Sequence, residues 1–144
     1  MKKIATILER KGSNVVAIEP NTTVLEAIQI MADKNIGSVV VAANGSYLGI
    51  VSERDYSRKV ILKGKHSHDT PVSEIMVTDL PKLRPDDSIE YCMNIMSIQN
   101  VRYLPVFAEG ELAGIISMSD VVKETILAQK ETITHLQDYI SGHV

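Results

Sequence analysis

The chain repeats itself. Gly49-Ile50-Val51-Ser52-Glu53-Arg54-Asp55 returns as Gly114-Ile115-Ile116-Ser117-Met118-Ser119-Asp120, at an offset of 65 residues (114 − 49). The same offset carries Pro20 onto Pro85, Ile30-Met31 onto Ile95-Met96, Asn35 onto Asn100, Val41 onto Val106 and Gly45 onto Gly110 without a gap. Self-similarity of this kind means two copies of one supersecondary unit. Each copy is only about sixty residues, close to the smallest size at which a domain folds alone. The copies are therefore expected to pack on each other.

In both copies a glycine precedes two β-branched residues, then a serine, then an aspartate three positions on, and a helical pattern follows. This reads as a strand running into a helix N-terminus, and two chemistries fit it. Ser-x-x-Asp before an amphipathic helix is a capping box. The same junction also turns backbone N–H groups and the positive end of a helix dipole toward one spot, which suits an anion. An ionised carboxylate only accepts, so Asp55 or Asp120 could take both hydroxyls of a cis-diol but could not hold a phosphate. Phosphate needs cations. Arg54 and Arg58, four apart, share a helix side where like charges are unfavourable unless an anion lies beside them. Asp55 and Lys59 are also four apart, and a plain solvated pair between them fits the pattern equally well.

Around these junctions the elements follow in order. Residues 2–11 carry Ile4, Ile7 and Leu8 at helical spacing and stop at Gly12. Val15 to Ile18 is β-prone. Thr23-Val24-Leu25-Glu26 reads as a capping box opening a helix, Ser38 to Ala42 as a strand, Asn44-Gly45 as a hairpin turn, and Tyr47 to Val51 as the returning strand before a helix from Glu53 to Leu62. Lys63 to Pro71 is a polar linker. Its His66, His68 and Asp69 lack the further ligands a structural metal site requires, so no metal is expected. After a helical turn at Val72–Met76 the series recurs: Lys82-Leu83, a helix Ser88–Gln99, strands Tyr103–Phe107 and Glu111–Ile116 about a Glu109-Gly110 turn, and a longer helix from Met118 to about Tyr139. The apolar stripe Ile133, Leu136, Ile140 on that last helix suits either a brace beside Ile4 and Leu8 or a contact with another chain. Met31, Met93 and Met96 are expected on inner helix faces, and Cys92 as a small core residue.

Several of these features together resemble the tandem CBS-domain pair, or Bateman module, of the small stand-alone bacterial type. They are the Ile18-Glu19-Pro20 and Leu83-Arg84-Pro85 openings, the helices ending near Met31 and Met96, the Leu104-Pro105-Val106 strand and both junctions. The resemblance implies an α/β (α+β) fold of two β-α-β-β-α repeats, 13–66 and 71–130, packed as a pseudo-two-fold pair, with the helix 2–11 and the extension 128–140 packed on the pair or on its partner. It further implies a regulatory or sensory module that binds an adenosine-containing ligand such as AMP, ATP or NAD in two clefts where the repeats meet, without turnover.

By the same resemblance Ser52, Arg54, Asp55, Arg58, Ser117, Ser119, Asp120 and Arg102 would hold ribose and phosphate. Val16, Ala17, Ile36, Gly37, Lys82, Leu83, Val101, Tyr103 and Pro105 would line the adenine slots. Gly37 stands in the first copy where Arg102 stands in the second, and Glu53-Arg54 where Met118-Ser119 stands, so the clefts should differ in charge and in affinity. A disc-like homodimer is implied, built on helices beginning near Thr23, Glu53, Ser88 and Met118. The alternative is a dimeric scaffold with vestigial clefts that docks on an enzyme, a transporter or another unidentified target.

The bulk numbers narrow the classes. A formal net charge of −3 and a pI of about 5.8 give no electrostatic reason to expect nucleic acid or an anionic membrane. The first apolar run, Ile4 to Leu8, is too short for a signal-peptide core, and no later run reaches membrane-spanning length, so a cytoplasmic location is expected. The sequence carries no Ser-His-Asp or Cys-His signature, no glycine loop before a lysine and no paired-carboxylate context, which argues against an enzyme.

Overall fold

The computed structural model describes residues 2–12 and 14–141. The first repeat contains β1 (Ala17–Ile18), α2 (Val24–Lys34), β2 (Ser38–Ala43), β3 (Ser46–Ser52) and α3 (Glu53–Tyr56), preceded by α1 (Ile4–Lys11). The second contains α4 (Ile89–Gln99), β4 (Tyr103–Ala108), β5 (Glu111–Ser117) and α5 (Met118–Ile140), preceded by a 3₁₀ turn at Val72–Glu74. β1 runs parallel to β2, pairing Ala17 with Val40, and β2 and β3 form an antiparallel hairpin. β4 and β5 repeat that hairpin, while the counterpart of β1 shrinks to a single parallel bridge from Leu83 to Val106. Both hairpins carry a bulge at the matching place, Val41/Ala42 and Val106/Phe107.

The local signals explain the element ends. α2 and α4 stop at Asn35 and Asn100, whose φ values of 53° and 54° are left-handed, a conformation asparagine tolerates better than most side chains. Thr23 accepts from the Glu26 N–H at 3.2 Å, the forward half of the expected box. Ser52 and Ser117 form full reciprocal boxes with Asp55 and Asp120. The helix expected over Glu53–Leu62 is broken in character: after Tyr56 it widens into a π-helical turn, Ser57–Ile61, closed by the Leu62 N–H on the Ser57 carbonyl at 3.2 Å. That change of period alters the direction in which Arg58 points relative to Arg54.

Each repeat's core is completed by the segment that precedes the other repeat. Ile4 and Ile7 of α1 are buried with Leu83, Cys92, Met96, Leu104 and Ile116 of the second repeat. Val72 and Ile75, which lead into the second repeat, are buried with Val24, Met31, Val51 and Val60 of the first. Gly49 and Gly114 mark where the exchanged segments press on the strands. A Cβ on Gly49 would lie 2.6 Å from the Val77 carbonyl oxygen, and one on Gly114 would lie 2.6 Å from Leu8 Cδ2. A side chain at Gly49 would push the Val77 backbone off the sheet, and one at Gly114 would make the Leu8 side chain turn away.

The side-chain expectations hold for Met31, Met96 and Cys92, all buried; burial, with the Asp87 carboxylate, pushes the Cys92 thiol up to about 11. Met93 departs from them. It is 38% exposed, because α4 turns only its Ile89-Cys92-Met96 line inward. α5 is fixed to α1 by Arg10 Nε on Glu124 Oε2 at 2.8 Å, and the outermost ties are Lys2 and Arg10 on Glu131. Beyond them Ile133, Leu136 and Ile140 are 54%, 57% and 83% exposed, so the stripe does not brace the chain's own repeat.

The exchanged core has a direct test. Truncating Ile4 to alanine should lower stability by about 2–4 kcal/mol, as for a fully buried aliphatic side chain. Hydrogen exchange should then show the loosening in α4, β4 and β5 and spare α2 and β2. A loss confined to residues 2–12 would contradict the exchange.

Candidate functional site

The exchange brings each Ser-x-x-Asp junction against the other repeat. The first cleft, about 260 Å³, sets Ser52, Arg54 and Asp55 opposite Leu80, Val101, Arg102 and Tyr103. The second, about 840 Å³, sets Ser117, Ser119 and Asp120 opposite Val15, Val16, Ile36 and Gly37. Gly37, Arg102 and Tyr103 border both. The Tyr103 hydroxyl lies where a Cβ on Gly37 would be, so a side chain there would have to displace the Tyr103 ring from between the clefts. Burial first, and then the Glu53 carboxylate, push the Tyr103 phenol up, against the pull of Arg102.

The helix N-termini offer less to an anion than the bare junction suggests. The first N–H of α3 donates to the Gly37 carbonyl at 3.2 Å, and that of α5 to the Arg102 carbonyl at 2.9 Å. The third donates to the capping serine in each helix, at 3.2 and 3.1 Å. Among the described residues, only the second N–H of each first turn, on Arg54 and Ser119, remains without a partner. α3 runs directly into the π-helical turn Ser57–Ile61, and α5 continues for 23 residues, so each cleft faces one capped helix N-terminus.

The carboxylates are engaged differently. Asp55 is buried; its Oδ2 accepts from the Ser52 backbone N–H at 2.9 Å and the Ser52 hydroxyl at 3.0 Å, while its Oδ1 pairs with Lys59 at 3.1 Å. Lys59 also donates to the Ile75 carbonyl at 2.9 Å, so the Asp55–Lys59 pair is the arrangement present. Asp120 Oδ2 accepts from the Ser117 N–H at 2.8 Å and from Lys11 Nζ at 2.7 Å, and its Oδ1 has no partner among the described residues. Burial alone would raise the Asp120 carboxyl, but the Lys11 and Ser117 hydrogen bonds outweigh it and hold the group below the usual carboxylate range.

The remaining expected residues divide. Arg54 reaches across the first cleft to the Asn100 carbonyl at 2.6 Å, whereas Arg58 is exposed and borders neither cleft, so the two do not form an anion clamp. Ala17, Lys82, Leu83 and Pro105 border neither cleft as well. Ala17 is exposed on β1, Lys82 lies 4.4 Å over the Phe107 ring, Leu83 is core, and Pro105 is buried in β4. Glu53 lines the first cleft, as the charge comparison of the two junctions expected, whereas Lys11, Leu80 and Val15 went unrecognised from sequence. The 65-residue offset links Val15 to Leu80 and could have found that pair. Nothing local marks Lys11, whose counterpart at that offset is Met76.

The CBS domain family matches twice, over residues 7–61 and 72–126. The chain is 30% identical to the mitochondrial CBS domain-containing protein CBSX3 of Arabidopsis thaliana, across 96% of this chain and 72% of that one. A CBS-domain protein of Burkholderia ambifaria MC40-6, named for signal transduction, superposes with a TM-score of 0.85 at 38% identity, covering 89% of this chain and 96% of that structure. The hexameric CBS-CP12 protein of bloom-forming cyanobacteria superposes with a TM-score of 0.73 at 30% identity, covering 85% and 70%. With the duplicated junctions, the paired clefts and both family matches in register, this chain belongs to the CBS-domain family as a tandem pair.

Proposed function

We propose that the protein is a regulatory module that binds an adenosine-containing ligand, AMP, ATP or NAD, in its two clefts without turning it over. One observation carries the reading: in both clefts a capping carboxylate from one repeat faces an apolar slot from the other, with Arg102 at the rim. The slot suits a purine face, the carboxylate suits ribose hydroxyls, and the arginine suits phosphate. The signal-transduction name of the Burkholderia ambifaria protein agrees with a regulatory role and names no ligand.

Thermal unfolding tests the reading directly. A ligand that binds only the folded chain should add about 2.7 kcal/mol at 100 times its Kd. A panel of AMP, ADP, ATP, NAD, NADH and S-adenosylmethionine is expected to contain at least one compound that raises the Tm at millimolar concentration. If none does, the module is not a nucleotide sensor.

Removal of each carboxylate separates capping from recognition. Asp55→Ala and Asp120→Ala should each cost about 1 kcal/mol in the unliganded chain through loss of the cap. Each should also abolish binding at its own cleft in calorimetry and leave the other. Lower melting with unchanged affinity in both variants would leave the carboxylates as caps alone.

A second reading, association through helix faces, is favoured by the exposed Ile61, Leu62, Tyr91, Ile98, Val122 and Ile126 and by the free stripe of α5. Pairing into a homodimer would cover such surface, and a hexameric relative shows that the fold supports assemblies. Light scattering at micromolar concentration should give at least twice the 15.9 kDa chain mass. Truncation after Gln129 should weaken the assembly; a monomeric full chain would rule it out.

A further inference from the structure

The two clefts differ in their balance of charge. Three cations, Lys11, Arg102 and Lys123, border the second cleft against one carboxylate, Asp120. The first has two cations, Arg54 and Arg102, against two carboxylates, Glu53 and Asp55, and Arg54 is held by the Asn100 carbonyl. The second cleft is also about 840 Å³ against about 260 Å³. It falls well inside the range of small-molecule sites, and the first lies near the lower end of that range.

Lys11 is the element without a counterpart. Its ammonium donates to Asp120 Oδ2 and to the Ile115 carbonyl, both at 2.7 Å, from the last turn of α1. The lysine that holds Asp55 is placed differently: Lys59 binds the Ile75 carbonyl behind the carboxylate and does not border the first cleft. An entering ligand can therefore meet Lys11 but not Lys59. A cis-diol that takes both oxygens of Asp120 reaches Oδ1 freely but competes with the ammonium at Oδ2, and an ammonium deprived of its carboxylate needs a new anionic partner. A phosphate chain on the same ligand supplies one. The long, partly exposed side chain can swing from carboxylate to phosphate as the diol replaces it, so neither group is left unpaired. A nucleoside without phosphate would break the pair and offer nothing in return.

We propose that Lys11, seconded by Arg102 and Lys123, makes the second cleft selective for nucleosides bearing two or more phosphates, whereas the first, charge-balanced cleft does not discriminate in this way. This rests on the nucleotide reading above and names the ligand class at one of its two sites. Met118 borders only the second cleft, so its methyl resonance reports occupancy there.

The experiment is titration of the full chain, labelled at methionine methyl groups, with adenosine, AMP, ADP and ATP. In the wild type the affinity read at Met118 should rise with phosphate number, ATP binding at least about tenfold tighter than adenosine, a difference of about 1.4 kcal/mol. In Lys11→Met, which installs the side chain found at the equivalent position of the other repeat, the ATP-to-adenosine ratio should collapse to about threefold or less. Adenosine should bind no more weakly than to the wild type, because Asp120 has lost its competitor. Lys11→Arg should keep the preference. The buried Met31 and Met96 methyls report whether the variants fold. If Lys11→Met does not, Lys123→Ala, at an exposed position, should still weaken ATP and spare adenosine. An unchanged ratio in Lys11→Met, or in Lys123→Ala where that variant stands in, overturns the proposal, as does an equal or reversed preference in the wild type. Such results leave nucleotide binding itself intact. Absence of any shift at any methyl with any of the four ligands or with NAD overturns both.

Discussion

Everything in this molecule hangs on the crossing of two leading segments. A repeat of about sixty residues buries too little surface to stand alone, and here each core is closed by a piece of chain that belongs in sequence to the other repeat. α1 lies on β5, and the Val72–Val77 stretch lies on β3, pressed so close that both strands carry glycine at the contact. The crossing makes the two repeats one folding unit. It also decides what faces what, since a junction can meet only the slot that the crossed segments bring to it.

The crossing further explains why the clefts are alike in plan and unlike in charge. The caps are duplicated because they are local, each built within four consecutive residues. Their neighbours are not. Position 11 and position 76 occupy equivalent places before their repeats, yet one is a lysine bonded to the opposite repeat's aspartate and the other a methionine. Duplication copies a frame, and single substitutions in the crossing segments then differentiate the two sites at little cost to the shared core.

The same segments tie the clefts to the outer helix. Arg10, next to Lys11, forms the ion pair with the buried Glu124 and reaches Glu131 of α5. A buried carboxylate of this kind tolerates loss of its partner poorly. α1 therefore links the second cleft, through adjacent residues of one rigid turn, to the helix whose far end carries an unpartnered apolar stripe.

The sequence alone determined the repeat, the element order, both hairpin turns and both capping boxes. All are set by periodicity and by side chains acting within a few residues of themselves. It also supplied the family, and with it the junction residues that the clefts do bring together. Only the tertiary structure decided the exchanged cores, the place of Arg58 on a π-helical turn outside both clefts, the exposure of Met93, the burial of Leu83 and Pro105, and the arrival of Lys11 at Asp120 across 109 residues of chain. No local pattern encodes a contact between distant, unlike residues. Such contacts follow from how whole faces pack, and in this protein the packing crosses the very boundary that the repeat draws.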